Sequence, residues 1–202
     1  MKYRWLIDCG HGGMIGGKYV TAPAKMFVFP DGLTIYEGVI NRKIGEYLSG
    51  LLSEHGIRHE FVSHANLDTK LEFRVNRADQ IYEVDKSCIY LSIHSNSGGG
   101  SGFEIFTSPG QTKSDKVANI FCEVYQSSFP DIKFRADKSD GDADKEENFY
   151  VLRKTDCPAL LVENLFFDNR REAEILLSEA GQKKIAKCLF DCIVKTEQLK
   201  PI

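Results

Sequence analysis

Short apolar, β-rich runs alternating with amphipathic helical stretches constrain the fold of this chain more than any other feature. Trp5-Leu6-Ile7, Leu91-Ser92-Ile93 and Ala159-Leu160-Leu161-Val162 are such runs. Near-continuous hydrophobicity marks strands covered on both faces, as in a parallel sheet. The pattern predicts strands at 3–8, 58–62, 87–93, 103–107, 149–153 and 159–163. Helices are predicted at 37–55, 69–83, 113–128, 170–178 and 180–195, the second opened by Asp68 as N-cap. On the first helix Ile40, Ile44, Leu48, Leu51 and Leu52 form one stripe. This alternation implies an α/β fold, a mostly parallel sheet with helices on both faces. No linker-like stretch divides the 202 residues, so a single domain over 1–202 is expected.

The buried runs end on polar groups. His11 follows the first, in Asp8-Cys9-Gly10-His11-Gly12-Gly13, and His94 ends another, in Leu91-Ser92-Ile93-His94-Ser95-Asn96. Glu163 ends a third, and Glu37 opens the first helix. In open α/β sheets the carboxyl edge of the strands is where ligands bind. Two imidazoles and one carboxylate (His11, His94 and Glu37) suit zinc with an open fourth position, which is the catalytic arrangement. Glu163 is then the expected general base for a water at that position. A carboxylate at the end of a buried run is costly unless it is paired or works in a site. Asp8 is a candidate partner for one imidazole.

Other signals are set aside. Gly10 to Gly16 lacks the glycine at position 15 that a dinucleotide loop needs. The Asp-rich stretch 137–148 does not place Gly and Glu as a calcium loop requires, so it reads as a solvated loop. Cys9 reads as packing rather than as a ligand, and His55, His59 and His64 as surface or structural. The loop at 9–36 is long for a compact domain. Because it joins His11 to Glu37, its outer part is expected to wall the substrate groove.

A formal charge of −3 with no Lys/Arg block argues against a nucleic-acid partner. The six cysteines fall on strand and helix faces, as reduced core residues do. No signal peptide is visible, and no run approaches membrane-spanning length.

With these motifs in order, the chain resembles the zinc-dependent N-acetylmuramoyl-L-alanine amidases of the amidase-3 type, from Leu6 to about Leu177. The family pattern D-P-G-H-G-G is matched by Asp8 to Gly13, and its Glu with a following Asn by Glu37 and Asn41. S-I-H-x-N and G-x-E are matched by Ser92 to Asn96 and Gly102 to Glu104. P-A-x-L-V-E is matched by Pro158 to Glu163, with Phe166 and Asn169 beyond, and Arg74 and Ala78 match a looser element. Cys9 stands where the family has Pro, and Asn164 where a small or apolar residue is common. The resemblance implies a three-layer fold with a mixed, twisted sheet. It also implies a peptidoglycan substrate, cut between N-acetylmuramic acid and L-alanine, with zinc on His11, Glu37 and His94. Such a protein is expected to be a monomer, made in the cytoplasm and acting at the cell wall after export or lysis. The competing readings are a zinc carboxypeptidase or deacetylase acting on another amide, and a catalytically silent peptidoglycan-binding module.

Overall fold

A computed structural model of the chain describes residues 1–139 and 141–199. The first strand is β1 (Arg4–Cys9), followed by the short strands β2 (Met14–Ile15), β3 (Lys18–Tyr19), β4 (Met26–Val28) and β5 (Thr34–Tyr36). Then come α1 (Glu37–Glu54), β6 (His59–Phe61), α2 (Leu71–Val84), β7 (Cys88–Asn96), β8 (Phe103–Thr107) and α3 (Lys113–Ser128). The chain continues with β9 (Lys145–Glu146), α4 (Tyr150–Lys154), β10 (Ala159–Phe166), α5 (Arg170–Leu177) and α6 (Glu179–Thr196).

Among the described residues the main sheet has the order β6-β1-β7-β10-β8-β9. The four strands from β6 to β10 are mutually parallel, β8 runs antiparallel to β10, and β9 parallel to β8. The sheet is therefore mixed. The side-chain alternation of a strand divides each apolar run between two cores. Trp5, Ile7, Ile89, Leu91, Leu160 and Val162 face one core, which α1, α3, α5 and α6 supply. Leu6, Tyr90, Ala159 and Leu161 face the other, beneath α2 and α4. Burial on both faces is why these runs carry no polar alternation, and it makes the fold three layers.

Four local expectations are corrected. Residues 150–154 are helical, not extended, because Val151 and Leu152 both pack into the core under α2, which consecutive strand residues cannot do. The 9–36 loop contains two hairpins, β2–β3 and β4–β5. Helix α2 starts at Leu71 with no side-chain cap, and Asp68 instead accepts hydrogen bonds from Thr21 and Arg74. The charged 130–148 stretch holds β9 and one buried carboxyl: Asp144 is 2% exposed and accepts a hydrogen bond from the Thr107 hydroxyl at 2.8 Å. All six cysteines are free and buried, as expected. The Cys9 sulfur packs where a Cβ on Gly45 would sit, and burial pushes its thiol up to about 12.

Burial, with Asp142 close by, pushes the Asp144 carboxyl up to about 7 despite the Thr107 hydrogen bond. A carboxyl whose folded pKa lies above its unfolded value, about 3.9, costs stability increasingly as pH rises between the two. Asp144→Asn should therefore raise the melting temperature at pH 8 and leave it little changed at pH 4. A pH series of thermal melts checks this.

Candidate metal centre

His11 lies just beyond β1 with a φ of 61°, left-handed backbone that a non-glycine residue holds only when its surroundings enforce it. The enforcement comes from two buried arginines. Arg42 donates from Nη2 to the His11 carbonyl at 2.6 Å and from Nη1 to the Gly10 and Gly38 carbonyls at 3.2 and 3.0 Å. It also donates to the carbonyls of His64, Ala65 and Leu67. Arg74 reaches the Cys9 and His11 carbonyls and pairs with Asp8 at 2.8 Å. Asp8 is thus occupied by Arg74 and by the Ser92 hydroxyl, not by an imidazole as the sequence suggested.

Glu37 is the first residue of α1 and is 1% exposed. Tyr36, at the N-cap, offers this helix no side-chain hydrogen bond. The 14–36 segment caps it instead: the Glu37 N–H donates to the Lys25 carbonyl at 3.0 Å and the Gly38 N–H to the Tyr19 hydroxyl at 3.0 Å. Any Cβ on Gly38 would lie 1.9 Å from the Gly12 carbonyl, so glycine lets the helix start press against the His11 loop.

His94 lies in β7, in register with Glu163 of β10. Its ring stacks over Gly10, where a Cβ would fall 2.2 Å from Cε1. Its carbonyl accepts from the Asn164 side chain at 3.1 Å, and Tyr125 in turn donates to Asn164 at 2.8 Å. This explains an amide at a position where apolar residues are common.

These elements bring ligand atoms of His11, Glu37 and His94 within 4.8 Å of one another. Glu37 Oε1 lies 3.0 Å from His94 Nδ1 and accepts from Asn41 and from the Ser95 N–H, both at 3.3 Å. Glu37 Oε2 faces His11 Nε2 at 3.3 Å, and these two buried atoms have no well-formed hydrogen-bond partner. A buried nitrogen and a buried carboxylate oxygen left over at one point are what a borderline cation would satisfy. The residues present therefore fit a metal. Burial alone would raise the Glu37 carboxyl, but the two imidazoles against it, His11 and His94, hold it well below the usual carboxylate range.

Glu163 is different. Burial pushes its carboxyl up to about 7, against the pull of the nearby His94, and Oε2 is buried without a partner. Opposite it on β8, Glu104 is compensated. Burial would raise Glu104 too, but Arg135 at 2.8 Å and Lys145 at 2.5 Å hold it low, and Asn96 donates to its other oxygen. Directly after Glu163 the β7–β10 register shifts, with Leu165 at a φ of 64°. Such a bulge ends regular pairing beside the site.

Sequence reasoning missed Arg42 and Lys25. Lys25 also sits in left-handed backbone, φ 57°, with its ammonium 4.0 Å from Glu37 Oε2. Arg42 carried one weak signal, a cation flanked at helical spacing by two glycines, Gly38 and Gly45. Lys25 carried none.

A family profile described as N-acetylmuramoyl-L-alanine amidase matches residues 6–195. The chain is similar to the N-acetylmuramoyl-L-alanine amidase CwlM of Bacillus licheniformis, 39% identical over 48% of this chain and 36% of that protein. It is also similar to an endolysin of Bacillus phage SPP1, 26% identical over 98% of this chain and 67% of that protein. The match to CwlM thus spans little more than a third of that relative's length. Among solved structures, the N-acetylmuramoyl-L-alanine amidase AmiC2 of Nostoc punctiforme superposes with a TM-score of 0.75 at 25% identity, covering 98% of this chain and 99% of that one.

Gly10→Ala should displace the His94 ring and weaken metal binding at least tenfold, the scale on which ligand orientation matters. Gly50→Ala, in α1 with nothing within 4 Å of its Cβ, should leave binding unchanged. Titration of both variants with zinc against a competing chelator checks this.

Proposed function

The chain belongs to the N-acetylmuramoyl-L-alanine amidase family, and from that premise we propose that it is a zinc-dependent peptidoglycan hydrolase. In this reading it cleaves the amide between N-acetylmuramic acid and the L-alanine of the stem peptide. One observation carries it: three ligand atoms converge at a point where two of them are otherwise orphaned, beside a carboxyl raised towards neutrality.

His11, Glu37 and His94 would hold the ion. The chemistry such an ion supplies is Lewis acidity, which polarises an amide carbonyl and brings the pKa of a water from about 15.7 towards about 7. Glu163 would take a proton from the attacking water and deliver it to the departing alanine nitrogen. A base needs a pKa near the working pH, and the uncompensated burial of Glu163 tunes it there. Glu104, fully paired, stays ionised and keeps Asn96, Arg135 and Lys145 in place at the adjoining wall. Arg42 and Arg74 fix the His11 loop so that the site needs little rearrangement to act.

The substrate implies action at the cell wall, which agrees with a phage endolysin and a sporulation-specific amidase of Bacillus subtilis among the relatives. No helix among the described residues is long and apolar enough to cross a membrane. A single catalytic domain, working as a monomer, suffices for this reading.

About one zinc per chain is expected by elemental analysis, with hydrolysis of purified sacculi lost in chelator and restored by zinc. A metal-free protein that still hydrolyses sacculi would overturn the metal role. Glu163→Gln should keep zinc and lose about 10²–10⁴ in turnover. His94→Ala should lose metal and activity together. Mass spectrometry of the digest should find new amino-terminal alanine, whereas a carboxypeptidase or deacetylase would leave that amide intact.

A further inference from the structure

Beside the His11 loop, on the face covered by α2, runs a groove of about 810 Å³. One wall is a single stripe of α2: Phe73, Asn76, Arg77 and Gln80, spaced i, i+3, i+4 and i+7. The other is the 63–69 segment, with His64 and Thr69. Phe73 is 63% exposed, an aromatic face left in water. The side-chain amides of Asn76 and Gln80 are exposed and free of hydrogen bonds to other described residues. The His64 ring accepts from the N–H groups of Asn66 and Leu67 at Nδ1, both at 3.1 Å, which leaves the ring proton on Nε2 as a donor. Arg77 is already spent on Glu60 and the Phe61 carbonyl, so it offers no free charge to the groove.

An aromatic face flanked by neutral amides and an imidazole N–H, with the Asp68 carboxylate and the Lys70 ammonium beside them and no open bidentate cation, matches a sugar. Its C–H face lies on the ring, and its hydroxyl and acetamido groups meet the amides. The groove is also continuous with the catalytic loop. The Gly12 N–H donates to Thr21, whose hydroxyl donates to Asp68 of the groove wall, both at 2.9 Å. Arg42 ties the His64, Ala65 and Leu67 carbonyls to those of Gly10 and His11. A chain lying in the groove is therefore held at a fixed distance from the metal ligands.

We propose that this groove is a glycan exosite that takes the N-acetylated amino-sugar strand of the substrate polymer, outside the site that cuts the amide. The proposal rests on the peptidoglycan reading above.

The test uses the whole chain carrying Glu163→Gln, with an N-acetylglucosamine oligomer that lacks any stem peptide as the probe. The oligomer should bind, and Phe73→Ala should weaken it about tenfold, the upper range for one aromatic contact. Asn76→Ala with Gln80→Ala should weaken it further at an unchanged melting temperature. In the active chain, Phe73→Ala should raise KM for sacculi several-fold while hydrolysis of a soluble muramoyl peptide stays at the parent rate. The exosite is overturned if the oligomer does not bind, if Phe73→Ala binds it as the parent does, or if a free stem peptide displaces it. Oligomer binding through Phe73 in a chain that hydrolyses neither substrate would keep the exosite and remove the amidase reading.

Discussion

The Arg42 guanidinium is the contact on which the site depends. Only 7% exposed, it spends its N–H groups on six backbone carbonyls drawn from the His11 loop, the first turn of α1 and the 64–67 segment. Hydrogen bonds from a charged donor contribute about 1.5–3 kcal/mol each, and an unmet buried carbonyl costs about 1–3 kcal/mol. Several such terms on one side chain outweigh the roughly 1–3 kcal/mol of strain in a left-handed non-glycine residue. His11 can therefore keep a backbone conformation that aims its ring at Glu37. Lysine has three donors and no fork, so it could not replace this arginine. Arg74 does the same work from the other side, with its charge neutralised by Asp8.

Around this frame, the sheet sorts two carboxylates that face each other across β8 and β10. Glu104 and Glu163 are in register, but two cations and an amide converge on the first and none on the second. Environment rather than residue type gives one a structural role and leaves the other proton-hungry. The bulge after Glu163 matters here, because regular pairing onward would have filled the crevice with backbone.

Fold class was legible because burial on both faces writes itself into sequence as unbroken apolar runs, and β1, β7 and β10 all show them. The candidate residues His11, Glu37, His94 and Glu163 stood out because each sits where a run or a helix begins or ends, and the fold brings the first three together. The 150–154 segment was not, since a run of five residues has no length over which the two periodicities separate. Nor were the hairpins at 14–36, whose two- and three-residue strands are too short to alternate. Asp8 was misread for a different reason: proximity in sequence to His11 suggested contact, whereas Arg74 of α2, distant in sequence, claims the carboxylate. Arg42 stayed hidden because its partners are all backbone carbonyls, which carry no residue identity to be matched.

Those hairpins change how the long connection is understood. Expected as a groove wall, the segment also terminates α1: Tyr19 and Lys25 meet the first two N–H groups that a helix leaves open. Tyr19 is 7% exposed and its hydroxyl donates to the Lys25 carbonyl, so one hydrogen-bonded unit fixes both the loop and the helix start. Glu37 is the residue being held, and its carboxylate stays ionised in a buried place. Lys25, strained and 4.0 Å away, gives that buried charge a counter-ion. The length of the loop thus follows from what it must reach: it has to leave β1 at His11, return to cap α1, and carry a cation to the Glu37 carboxylate.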